Sequence, residues 1–317
     1  MIFQILFIVL GFACLIFGAN WLVDGATALA KKYKVSDLAI GLTIVAFGTS
    51  APELVVNLIG SINGYSDIVL GNIIGSNNFN LFIILGITGL IFPITVQSTT
   101  AWKEIPISLF SALLMLLLVN NFWTTETGHL SRIDGLIMLS VFFLFLYYVF
   151  KQMKNEPDTH SDFVQKPLIK IWLLILVGFA GLIIGGQLVV TNSINVANNL
   201  GISEKIIGLT IVAAGTSLPE LMTSIIAATK KNSDIAIGNV IGSNVFNILL
   251  ILPISSLVMP IQYSPIFNLD LYILIGGTVF LLLSMVTGQR KKLDRWEAGI
   301  LFGAYLLYTI FLITNEG

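Results

Sequence analysis

The chain has 317 residues, of which 56% are hydrophobic and only 10% charged, with a formal net charge of −1. A soluble domain of this length carries far more charge, so its many apolar runs of roughly 20 residues read as a polytopic helical membrane protein. The scattered basic residues exclude a nucleic-acid surface, and the single cysteine, Cys14, excludes both a disulfide framework and a thiolate metal site.

In chain order, the N-terminal MIFQILFIVLGF lacks the basic flank of a signal peptide and is expected to be retained. Helix 1 is expected over Ile2 to Ala30, helix 2 over Ser36 to Ile62 and helix 3 over Asp67 to Phe92. Helix 4 follows over Ile105 to Val119 and helix 5 over Ile133 to Phe150. A polar stretch, KQMKNEPDTHSDFVQK from Lys151 to Lys166, is too short for a folded domain; with Pro157 it reads as an exposed tether. Helix 6 is expected over Ile169 to Asn198, helix 7 over Ser203 to Ala228 and helix 8 over Asp234 to Met259. Helix 9 runs over Leu269 to Met285 and helix 10 over Trp296 to Thr314.

Helices 2 and 7 carry the same stretch. Gly41 to Leu54 reads GLTIVAFGTSAPEL and Gly208 to Leu221 reads GLTIVAAGTSLPEL, identical at twelve of fourteen positions and 167 residues apart. Helices 3 and 8 repeat at the same offset, GNIIGSNNFN from Gly71 and GNVIGSNVFN from Gly238. In helices 1 and 6, Gly11, Gly18, Asn20 and Ser36 align with Gly178, Gly185, Gln187 and Ser203. The chain is therefore a duplication, residues 1–150 and 169–317, joined by a cytoplasmic linker over 151–168.

Five helices per copy is an odd number, so the second copy enters the membrane from the opposite side. The expected fold is an all-α membrane protein of ten transmembrane helices in two inverted five-helix repeats. Charge tests this, because cytoplasmic loops collect Lys and Arg. With both termini outside, all of the 16 basic residues except Arg132 and Lys205 fall inside. A prokaryotic plasma membrane is the expected location. Trp21, Trp102 and Trp296 are expected at the interface, and Asp67 and Asp234 as caps of helices 3 and 8.

Each copy buries a carboxylate in an apolar helix, Glu53 after Pro52 and Glu220 after Pro219. At the helix centre that costs about 2.5 to 3.5 kcal/mol, and it persists where the group faces a cavity, a partner or an ion path. An inverted repeat brings both to related depths near the midplane, with no Lys or Arg nearby, so cations or protons must supply the counter-charge. Proline also withdraws a donor from the carbonyl about four residues earlier, near Gly48 and Gly215, which predicts a discontinuous helix. Thr49, Ser50, Thr216 and Ser217 then offer hydroxyl and backbone oxygens. Ser76, Asn77 and Asn80 of helix 3, and Ser243, Asn244 and Asn247 of helix 8, add more. Such a set of neutral and acidic oxygens suits a hard cation such as Ca²⁺. Ser and Thr in membrane helices more often pack or bond back to the helix, and Asn72 and Asn239 read as helix-to-helix glue. Asp24 reads as a solvated carboxylate, and His129 and His160 as loop residues.

GTSAPE and GTSLPE, paired with GSNNFN and GSNVFN, resemble the two α-repeats of the sodium/calcium exchangers of the calcium/cation antiporter superfamily. The resemblance covers essentially the whole chain. It implies alternating access around one Ca²⁺ site and several Na⁺ sites, with helices 1 and 6 sliding as a gating pair. By position it implies Ca²⁺ on Glu53, Glu220 and the Thr49 and Thr216 oxygens. Na⁺ would use the same glutamates with Ala46, Ser50 and Ser76, and with Ala213, Ser217 and Ser243, while Asn80 and Asn247 line the centre. Some relatives carry Asp where this chain has Asn247; two formal charges here favour voltage-sensitive exchange and disfavour potassium co-transport. A calcium/proton antiporter on the same glutamates, a potassium-dependent exchanger and a passive channel stay open as alternatives. An intramembrane hydrolase is disfavoured, since no His lies in any span. No enzyme activity, cofactor or protein partner is expected; the ligands are the transported ions Ca²⁺ and Na⁺, and the lipid bilayer is the surroundings.

Overall fold

The computed structural model describes residues 2–97, 99–120, 128–153, 167–199, 213–287 and 291–316. Most of the tether, with Lys154, Pro157, His160 and Lys166, lies outside them, as do Ser203, Lys205 and Arg290. The described chain is helical: α1 (Ile2–Tyr33), α2 (Asp37–Thr49), α3 (Ala51–Ile62), α4 (Ser66–Ile91), α5 (Thr100–Asn120), α6 (Arg132–Met153) and α7 (Leu168–Asn199). There follow α8 (Ala213–Thr216), α9 (Leu218–Thr229), α10 (Ser233–Val258), α11 (Asn268–Ser284) and α12 (Arg295–Glu316). Among the described residues seven helices are long and apolar enough to cross a membrane, or eight if α2 and α3, bent by 47° at their junction, form one span. Large apolar side chains such as Phe3, Ile169 and Leu307 stand exposed at 70% or more, which fits an apolar surrounding. The ends that fall among the described residues lie within a few residues of the expected ones, apart from helix 4, whose first turn, a wide π turn, begins at Thr100; the expected start of helix 7 at Ser203 lies outside the described residues.

Two compact units divide the chain differently from its repeats. The first joins Met1–Pro52 to Val149–Asn239, the second Glu53–Tyr148 to Val240–Gly317, so each draws on both copies.

In the first unit, α1 and α7 run antiparallel along a glycine seam. A Cβ on Gly11 would lie 2.9 Å from the Gly185 carbonyl oxygen, and one on Gly18 2.9 Å from that of Gly178. Small residues let the two backbones touch, which is where helix association in lipid finds its van der Waals energy. Gly178 and Gly185 are themselves the repeats of Gly11 and Gly18, so exchanging the copies maps this seam onto itself. At the end of α1, Asp24 pairs with Lys230 at 2.9 Å, and Lys230 also donates to the Asn20 carbonyl. The carboxylate expected to be merely solvated is thus an ion-pair partner, because the turn after α9 brings a lysine to it. That turn holds a second correction. Asn232 caps α10 by accepting from the Ile235 amide at 3.1 Å, whereas Asp234 lies within the first turn.

In the second unit, α4 and the later part of α10 form the buried core, α12 packs on α4, and α11 on α5. Close approach again requires glycine: a Cβ on Gly86 would sit 3.0 Å from Phe302, and one on Gly277 2.3 Å from Phe82. Asp67 likewise lies inside the first turn of α4, after Tyr65 at the N-cap. Two short antiparallel ladders tie the loops. β1 (Ile94–Thr95) pairs with β4 (Lys292–Leu293), and β2 (His129–Leu130) with β3 (Ile261–Gln262). His129 is therefore a strand residue opposite Gln262. The registers Ile94 to Leu293 and Leu130 to Ile261 interchange when the copies are exchanged, as do Thr95 to Lys292 and His129 to Gln262.

Candidate functional site

In the first unit the helix breaks where proline predicts. Ser50, between α2 and α3, leaves helical geometry at φ −82° and ψ 9°; Ser217, between α8 and α9, does so at φ −90° and ψ 6°. Pro52 and Pro219 cannot donate to the carbonyls of Gly48 and Gly215, and the turn opens there. A wide π turn over Gly41–Val45, invisible in the sequence, loosens the approach further. Gly48 must stay bare, since a Cβ on it would fall 1.9 Å from the Phe179 ring of α7.

The opened turn of the first copy reaches the acid of the second. The Ser50 hydroxyl donates to Glu220 Oε1 at 2.9 Å, and both residues are almost completely buried. Thr49 lies 1% exposed beside them, and its hydroxyl donates to the Val45 carbonyl at 3.1 Å and to Asn239 Oδ1 at 3.0 Å. Asn239 in turn donates to the Glu220 carbonyl at 3.2 Å and to the Ser224 hydroxyl at 3.0 Å. It is glue, as its sequence context predicts, but glue that fixes Thr49 to the backbone of the acidic turn. Ala46 is buried in the same turn, Thr216 and Ser217 stand in the equivalent one, and of Ala213 the backbone alone is described, at the start of α8.

In the second unit Glu53 is 1% exposed in the first turn of α3, where Asn57 donates to its carbonyl at 2.7 Å. Ser76, Asn77, Asn80, Ser243, Asn244 and Asn247 are all buried on α4 and α10. Both helices widen into π turns here, Phe79–Ile84 and Asn247–Ile251. The Ser76 hydroxyl and the Oδ1 atoms of Asn80 and Asn247 have no hydrogen-bond partner among the described residues. Buried oxygens in that condition are costly unless something supplies the contact, and a hard cation does so. Among the described residues no three His, Cys, Asp or Glu side chains cluster, so the donor set is one of hydroxyl, amide and isolated carboxylate oxygens.

Sequence reasoning missed a second pair of acids. The Tyr148 hydroxyl donates to Glu104, which is fully buried at the start of α5, and the Tyr308 hydroxyl to Asp270 at the start of α11. A signal existed: each copy places an acid at the head of its fourth helix and a tyrosine in its fifth.

Comparison with known proteins gives a consistent result. Residues 3–151 and 170–314 match the family described as sodium/calcium exchanger protein. The putative antiporter CaxA of Alkalimonas amylolytica is 34% identical over 99% of this chain and 100% of its own length. The sodium/calcium exchanger MaX1 of Methanosarcina acetivorans is 34% identical over 97% of each. A structure of the sodium-calcium exchanger NCX_Mj, soaked with Na⁺ and Ca²⁺, superposes with a TM-score of 0.83 at 30% identity, covering 98% of both chains.

Proposed function

The chain belongs to the sodium/calcium exchanger family, and from that premise we propose that it exchanges Na⁺ for Ca²⁺ by alternating access. It is an integral multi-pass membrane protein of an antiporter family. The observation that carries the reading is the Ser50 hydroxyl on Glu220, which joins the motif of one copy to the buried acid of the other.

In this reading Glu53 and Glu220 supply the charge that draws a cation out of water. Thr49 and Thr216 complete the Ca²⁺ shell. Ala46, Ser50 and Ser76, with Ala213, Ser217 and Ser243, serve Na⁺ through carbonyl and hydroxyl oxygens, and Asn80 and Asn247 line the centre. Na⁺ and Ca²⁺ compete because they need the same carboxylates, so one ion must leave before the other is held. Ten spans in inverted repeats, with both termini outside and a cytoplasmic tether, are part of the proposal. The glycine seam, mapped onto itself by exchange of the copies, and the two strand ladders, mapped onto one another, support it.

The test is isotopic Ca²⁺ uptake into proteoliposomes preloaded with Na⁺. Uptake is expected with an outward Na⁺ gradient, to fail with a pH gradient alone, and to need no K⁺. Glu53→Gln and Glu220→Gln should each lower it by at least about a hundredfold, since each removes one of two buried charges that neutralise the ion. Parental rates in either variant refute the site assignment.

A further inference from the structure

An asparagine amide has two faces: its oxygen attracts a cation and its NH₂ repels one, and the two ends are nearly the same size. An ion site that uses asparagine must therefore fix which end is presented. In the second unit Asn80 Nδ2 donates to Asn244 Oδ1 at 3.1 Å, and Asn247 Nδ2 donates to Asn77 Oδ1 at 3.4 Å. Asn244 is itself held, donating to the Asn77 carbonyl at 3.5 Å. Asn80 and Asn247 repeat one another, and so do Asn77 and Asn244, but only the Asn244–Asn80 pair is locked: Asn77 Nδ2 is buried with no hydrogen-bond partner among the described residues, so Asn77 is not held as Asn244 is.

We propose that Asn244 is a positioning residue that holds the amide of Asn80 with oxygen toward the transported cation. The claim rests on the cation-exchange reading above. Asn80 Nδ2 is engaged by Asn244, while Asn80 Oδ1 is buried with no partner among the described residues. Turning the Asn80 amide over would set oxygen against oxygen at Asn244, whose own NH₂ is held on the Asn77 carbonyl, and point NH₂ at the ion. One contact thus stabilises the productive orientation and penalises the other.

A carboxylate needs no such holding, because both of its ends are oxygen. That difference gives a test in proteoliposomes. Asn244→Ala should raise the KM for Ca²⁺ about tenfold, the scale of one lost contact to a charged group. In an Asn80→Asp background, whose own KM sets the reference, the same substitution should raise it less than about twofold. In an Asn247→Asp background, which removes the other ambiguity, the tenfold effect should persist. Asn244→Leu, which keeps the volume, replaces the alanine variant if that one does not fold. Equal effects in all three backgrounds, or a fall in folded protein with KM unchanged, make Asn244 a packing residue and overturn the proposal. Equilibrium Ca²⁺ binding by the purified protein is read in the same variants, since binding does not require exchange. Loss of Na⁺-driven uptake in the parent with this pattern intact in binding would remove the exchange reading and keep the positioning one; the pattern failing in binding would overturn positioning alone.

Discussion

At the scale of single residues, burial decides which polar contacts matter. Asn239 is fully buried and serves Thr49, Ser224 and the Glu220 carbonyl at once. Asn239→Leu takes a buried partner from each of those groups, although Thr49 keeps the Val45 carbonyl and Ser224 that of Ala236, and each lost buried contact costs about 1 kcal/mol. Unfolding of the purified protein should shift by roughly 3 kcal/mol. Lys230 and Asp24 form a charged pair that looks stronger but is 31% and 49% exposed. Exposed pairs contribute about 0 to 1 kcal/mol, so Lys230→Met should move unfolding by less than about 1 kcal/mol. A larger effect for Lys230 than for Asn239 would reverse this ranking. Legibility follows the same line. Glu53, Glu220 and Ser50 stand out in the sequence because an acid in an apolar run is costly and the motif occurs twice. The roles of Asn239 and Asn244 depend on which atom meets Thr49 and Asn80, 190 and 164 residues away, and spacing along one helix carries no such information.

At the scale of elements, helix positions were readable because apolar length and proline dictate them. The break at Ser50 and Ser217 follows from a missing N–H, a local fact. The π turns in α4 and α10 were not readable, since a one-residue widening is set by packing and by the polar cluster it aims. The pairing of α1 with α7 was legible only through the family resemblance, as the gating pair of helices 1 and 6: the glycines were visible, their opposite numbers were not. That seam makes a sharp prediction. At Gly18 a Cβ would meet the Leu182 amide nitrogen at 2.8 Å, backbone against backbone, so Gly18→Val must part the helices. Folded yield in detergent should fall severalfold, with unfolding lowered by about 2 kcal/mol or more, within the range for overpacking. Gly303 in α12 provides the contrast, because a Cβ there meets nothing within 4 Å. Gly303→Val should leave yield and unfolding nearly unchanged; a Gly18 variant as well tolerated would mean that the seam is loose.

At the scale of the whole molecule the governing quantity is charge. The chain carries a net charge of −1, and the proposed ion set holds two acids, Glu53 and Glu220, with Asn247 where a third acid would add another negative charge. Two carboxylates balance one Ca²⁺. Loading more than two Na⁺ on the same ligands leaves an excess positive charge that crosses the membrane on the sodium limb of the cycle. When internal Na⁺ drives Ca²⁺ uptake into vesicles, net positive charge therefore leaves the lumen. Each elementary charge moved against 100 mV costs about 2.3 kcal/mol, enough to alter a limiting rate severalfold. Uptake should accelerate when the interior is clamped positive with a K⁺ ionophore and slow when it is clamped negative. Asn247→Asp should leave the net charge moved per turnover unchanged, since the ions exchanged set it. It should shift the voltage dependence from the sodium limb to the calcium limb, because a third carboxylate neutralises three Na⁺ and leaves one negative charge with Ca²⁺. Identical rates at both potentials in the parent would mean that two Na⁺ balance each Ca²⁺, and the charge count drawn from Asn247 would fail with it.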